Sequence, residues 1–166
     1  SDPSTVRVRN VTAGGFEFQI DEWDYKDGSH LTEEIVNLVI EAGCHTLADG
    51  TTVVAGRTAA GDAWGSVSLH GFSEIPVVLA QVTSVNEATA VTTRLRSVTG
   101  GGFDVRVQEE EGNDRKHAVE PIAYVAWDAA AGAALARHSP RRIAAARPGF
   151  IDSADPWCRG PSWERP

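Results

Sequence analysis

The chain has 166 residues, 42% of them hydrophobic, which is enough for a packed core and too much for wholesale disorder. Its net charge of −8 argues against a nucleic-acid partner, because such binders carry a basic stripe. No apolar run approaches the roughly 20 residues of a membrane span, and Ser1 opens no signal-peptide pattern, so the chain reads as a mature or excised piece without membrane insertion.

From the N-terminus, Val6–Val11 alternates apolar and polar residues, the period of a half-buried strand. Ala13, Gly14 and Gly15 then suit a tight hairpin, and Phe16–Trp23 alternates again as the return strand. A polar loop follows. The apolar run 34–41, EIVNLVIE, predicts a strand buried between two sheets. Further strands are expected at Thr51–Arg57, Gly65–His70 and Ile75–Thr83. Next come an alternating stretch at 92–98, three glycines at 100–102, a return strand from Phe103, and a second buried run at 121–128, PIAYVAWD. Trp64 and Trp127 read as core. The Ala-rich stretch 129–136 lacks helix caps and fits a linker equally well. Arg137, His138, Arg141 and Arg142, just beyond it, read as a solvated linker.

Two stretches of this chain are copies of one another. Thr5–Glu33 aligns without a gap on Thr92–Glu120 at a constant offset of 87 residues. Shared positions include Arg7/Arg94, Arg9/Arg96, Gly15/Gly102, Phe16/Phe103, Glu22/Glu109, Asp27/Asp114, His30/His117 and Glu33/Glu120. The fold expected is all-β: two tandem antiparallel six-stranded β-sandwiches. Residues 1–48 form the first unit, 49–130 the second, and 131–166 a linker with a complementing strand. The first unit lacks the opening strands of the second. Its completion is expected from about 133–166, where Gly149–Pro166 echoes Gly71, Phe72 and Pro76 by position. That segment can fold back within its own chain, be donated head to tail to a neighbour, or remain a disordered tail.

The motif that best suggests chemistry is the duplicated Asp-x-x-His-x-x-Glu: Asp27, His30, Glu33 and Asp114, His117, Glu120. A histidine with two carboxylates can hold a divalent metal or work as acid and base. The structural reading is preferred, with Asp27, Glu33, Asp114 and Glu120 as a network that pins the loop before the last strand. No nucleophile or open metal position accompanies the motif, so neither an enzyme, a metal nor a cofactor is expected. Trp23, Asp24 and Tyr25 end the first hairpin strand. An aromatic ring beside carboxylates suits a sugar, stacking on pyranose C–H faces while the carboxylates accept from hydroxyls. The candidate sugar-binding residues are therefore Trp23, Asp24 and His30 in the first unit, with Glu110, Glu111 and His117 at or near the matching positions of the second. Cys44 and Cys158 are the only cysteines, and spacing alone leaves a disulfide between them open.

The stretches 63–85 (AWGSVSLHGFSEIPVVLAQVTSV) and 91–103 (VTTRLRSVTGGGF), with the closing IAYVAWD, resemble an H-type lectin domain. The first unit resembles the latter part of the same domain. That resemblance implies a six-stranded sandwich, often trimeric, that binds N-acetylgalactosamine-type sugars without metal catalysis. Its sugar residues match poorly here. Trp23-Asp24 and Glu110-Glu111 stand where snail members carry Trp-His, and Ala90 and Pro3 stand where an arginine belongs. The reading is a secreted or cell-surface repeat, either a glycan-binding adhesion module or a structural subunit of a head-to-tail filament, with self-association expected.

Overall fold

In the computed structural model, which describes residues 2–128, the chain forms nine strands and no helix among the described residues. They are β1 (Ser4–Thr12), β2 (Gly15–Glu22), β3 (Gly43–Thr46), β4 (Thr52–Ala60), β5 (Gly65–Ser68), β6 (Val77–Val82), β7 (Val91–Thr99), β8 (Gly102–Glu109) and β9 (Glu120–Asp128). Every pairing is antiparallel. β1 and β2 make a two-stranded hairpin, β3-β4-β9-β6 a four-stranded sheet and β5-β8-β7 a three-stranded sheet.

The two larger sheets enclose one core in a sandwich-like arrangement. Alternation along β8 turns Phe103, Val105 and Val107 inward, against Val82 of β6 and Ile122 and Ala126 of β9, all at most 3% exposed. Burying each such side chain is worth roughly 1.5–3 kcal/mol. Phe103 meets Tyr124 edge to face at 5.3 Å. The apolar run 121–128 becomes β9, the strand between β4 and β6, which explains why it is apolar throughout.

The duplication is visible in the backbone. Both hairpins slip register at one place, between Arg9 and Thr12 and between Arg96 and Thr99. Each slip holds a left-handed residue, Asn10 at φ 52° and Ser97 at φ 53°. Both turns are closed by a threonine hydroxyl donating to a glycine carbonyl, Thr12 to Gly15 at 3.1 Å and Thr99 to Gly102 at 3.2 Å.

Three expectations need correction. First, the run 34–41 is not a strand, and Val36, Leu38 and Val39 are 62–91% exposed. Its counterpart β9 is held by β4 and β6, and the first unit has no equivalent of either among the described residues. For the same reason the first unit is, among the described residues, a hairpin. Its completing segment, about 133–166, and the Ala-rich stretch with its arginines lie outside the described residues. Second, the second unit carries a seventh strand, β3, which comes from residues numbered within the first unit and pairs with β4. Third, Trp64 and Trp127 are only half-buried. Arg96 and Arg106 stack on Trp64 at 4.2 and 4.8 Å, and Trp127 lines a shallow apolar depression with Leu38 and Ile40.

Candidate functional site

The two copies of the repeated motif build two versions of one network. In the first unit, His30 Nδ1 lies 3.0 Å from Glu22 and Nε2 lies 3.3 Å from Glu33. In the second, His117 Nδ1 lies 3.2 Å from Glu109 and Nε2 lies 3.1 Å from Glu120. A neutral imidazole donates from one nitrogen only, so at His30 the carboxylates on both sides favour the imidazolium. Asp27 and Asp114 do not join these networks. Each closes a local turn by accepting a backbone N–H two residues on, from Ser29 and Lys116, both at 2.9 Å.

The copies differ in depth. Glu33 is half-exposed, whereas Glu120 is fully buried. Glu120 accepts from the Ser84 hydroxyl, from the Asn86 amide at 2.9 Å, from the Glu87 amide at 3.3 Å and from His117. Burial pushes its carboxyl up, but the Ser84, His117 and backbone donors outweigh that and hold it below the ordinary value. The His30 imidazole is held above its ordinary value, chiefly by Glu22 and further by Glu33, against the opposing effect of desolvation.

The residue that completes the deeper network comes from the other unit. Arg7, on β1, is 1% exposed. Its guanidinium donates to the carbonyls of Thr89 (2.8 Å), Ser84 (3.1 Å) and Glu87 (3.2 Å), and pairs with Glu120 at 3.3 Å and Asp21 at 3.4 Å. The loop between β6 and β7 thus forms a socket, with Glu120 at its base and Arg7 as its plug. Gln81 adds a hydrogen bond to the Val6 carbonyl at 2.9 Å. Ligand atoms of Glu87, Glu109 and His117 lie within 4.8 Å of one another. Both ring nitrogens of His117 face carboxylates, and Arg7 brings its own positive charge to Glu120.

The candidate sugar residues also meet one another across the units. The Asp24 amide donates to Glu110 at 2.8 Å, and Asn113 bridges Asp24 at 3.0 Å and Glu110 at 3.1 Å. Burial, opposed by the Asp24 N–H, raises the Glu110 carboxyl. Trp23 is half-buried, its amide on the Pro3 carbonyl, while Glu111 and Tyr25 are exposed beside each other. His30 and His117 lie in the networks described above. Sequence reasoning missed Arg7, Ser84, Asn86 and Glu87. The one signal for Arg7 was its place among the duplicated positions.

Fold and site together define an all-β repeat protein whose two units are joined by a buried arginine. No protein-family model matches the chain and no solved structure matches it, so the likeness to H-type lectins rests on the strand pattern. A curated protein that it resembles is Halomucin of Haloquadratum walsbyi (strain DSM 16790 / HBSQ001), 32% identical over 127 residues. The match covers 73% of this chain and 1% of that protein, so the chain spans about one hundredth of the relative's length.

Proposed function

We propose that the chain is a non-catalytic, extracellular module of a long surface protein, and that its main task is structural: holding consecutive repeat units in a fixed relation. The observation that carries this is Arg7, an arginine of one unit buried in a socket of the next. Removing one partner of such a buried pair is costly, because the other charge is left uncompensated. The loop that would have held a sugar in each unit is spent on the same contact, through Asp24, Glu110 and Asn113. Placement outside the cell is supported by the likeness to Halomucin, whose name is that of a mucin, a secreted or surface class of protein. It is also supported by the disulfide at Cys44, a bond that persists in oxidising compartments. Joining end to end is supported by the first hairpin and the run 34–41, which have no covering strands among the described residues.

The test compares Arg7→Ala with Arg94→Ala, its counterpart in the second unit, which is exposed and, among the described residues, bonded only to Gln108 at 3.2 Å. Denaturant unfolding of Arg7→Ala should lose about 3 kcal/mol, and of Arg94→Ala less than about 1 kcal/mol. Small-angle scattering should show the first hairpin swinging free in Arg7→Ala alone. Equal stability and shape for the two variants would remove the structural reading. A second reading, sugar binding at the rim, is favoured by the exposed Tyr25 ring beside Glu111. Binding of an N-acetylated hexosamine on a glycan array, lost in Trp23→Ala, would establish it.

A further inference from the structure

Docking of the first hairpin on the second unit leaves a cleft of about 550 Å³ between them. From the hairpin come Arg9, Asn10 and Val11, at the bulge where Asn10 takes its left-handed conformation. From the second unit come Arg57 on β4, the segment Thr83–Asn86, and Pro121 at the start of β9. The second unit's wall is fixed from behind, because Ser84 and Asn86 bond to buried Glu120 and the Ser84 carbonyl receives Arg7.

We infer that this cleft binds an acidic saccharide, one whose ring carries a carboxylate. The charge argument comes first. The chain has 23 acidic residues against 15 Lys and Arg, yet no acidic residue lines the cleft while two arginines do. The Arg57 side chain has no partner among the described residues. Arg9 spends only Nε, on Glu17 at 2.9 Å, so its two terminal nitrogens remain available. Guanidinium is the side chain whose planar fork matches a carboxylate bidentately.

The neutral groups decide between a sugar and a simple anion. The Asn10 amide has no partner among the described residues. Asn86 donates from Nδ2 to the Val119 carbonyl at 2.7 Å, which leaves its amide oxygen to accept from a hydroxyl. Val11, Val85 and Pro121 supply an apolar wall for the C–H face of a pyranose. The volume suits one or two sugar rings, within the range of about 300–1,000 Å³ usual for small-ligand sites. This inference does not depend on the structural reading, and it places the sugar away from the Trp23 loop.

The test is titration of the full chain with glucuronate, glucose and inorganic sulfate at low salt, followed by NMR shift mapping. Glucuronate is expected to bind in the range of about 1–10 mM and to shift the amides of Asn10, Arg57 and Asn86. Arg57→Ala should weaken it at least about tenfold, the scale of losing a hydrogen bond to a charged group. Arg57→Lys should fall between, and Lys116→Ala, which removes an equal charge elsewhere on the surface, should leave it unchanged. Sulfate binding as tightly as glucuronate would reduce the cleft to an anion site and overturn the inference. Glucose binding as tightly would remove the role of Arg57, and silence at about 50 mM glucuronate would remove the site.

Discussion

Arg7 and Arg94 are the same residue at the same place in two copies of one hairpin, and they do different work. Both reach a side chain across the hairpin, Arg7 to Asp21 and Arg94 to Gln108. Only Arg7 finds a further unit to enter. The histidines diverge in the same way, with His117 sealed beneath the socket and His30 nearer solvent. His30 and Glu120 set opposite pH dependences. The raised His30 value means that its contribution is fully present below about pH 6.5 and is lost as pH rises through the folded value. The lowered Glu120 value means that its contribution is present above about pH 4.5 and is lost as pH falls through the folded value. Urea midpoints measured across pH should therefore be highest between these two values. In an NMR titration, Glu22→Gln should bring His30 back toward 6.5, since Glu22 is the largest cause of its shift.

At the scale of elements, β2 and β8 are copies with different neighbours. β8 carries β5 along one edge and a whole sheet against its face, so Val105 is fully buried, while the matching Phe18 on β2 is 52% exposed. A pair of glycines reads out the difference. Gly15 and Gly102 both have strongly positive φ, 152° and 154°, so an added side chain is strained at either. At Gly102 a Cβ would also collide with the Val67 carbonyl oxygen of β5, whereas at Gly15 nothing stands within 4 Å. Gly102→Ala should therefore cost about 2 kcal/mol more than Gly15→Ala in denaturant unfolding, the scale of overpacking. Equal costs would mean that β2 is covered as β8 is.

For the whole molecule, the contacts that hold the first hairpin on the second unit are polar and specific. Arg7 in its socket, Gln81 on Val6 and Asp24 on Glu110 tie the hairpin down, and among the described residues none of the hairpin joins the apolar core. The disulfide at Cys44 adds a covalent constraint beside β3 and β4, while Cys158 lies outside the described residues. Reduction should lower the free energy of unfolding by about 2–5 kcal/mol, measured as the shift in denaturant midpoint with and without a thiol reductant. An unchanged midpoint would show that the bond constrains little of the unfolded chain.

The sequence by itself determined the local elements and the duplication. Alternation in 92–98 and 103–110 reads directly as β7 and β8, because a strand with one buried face must repeat every two residues. The offset of 87 residues appears again as matching bulges and turns, because bulge and turn geometry is set by a few neighbouring residues. Glu33 and Glu120 stand three positions from their histidines and were named with them, whereas Glu22 and Glu109, eight positions back on the preceding strand, were not. Only the tertiary structure decided the rest. The runs 34–41 and 121–128 look alike in sequence, yet one is a central strand and the other is not, because a strand forms where other strands receive it. Arg7 reads as an ordinary polar-face residue until a socket 77 to 113 positions away closes around it. Periodicity reports which face of a strand is buried. It carries no information on which distant segment buries it.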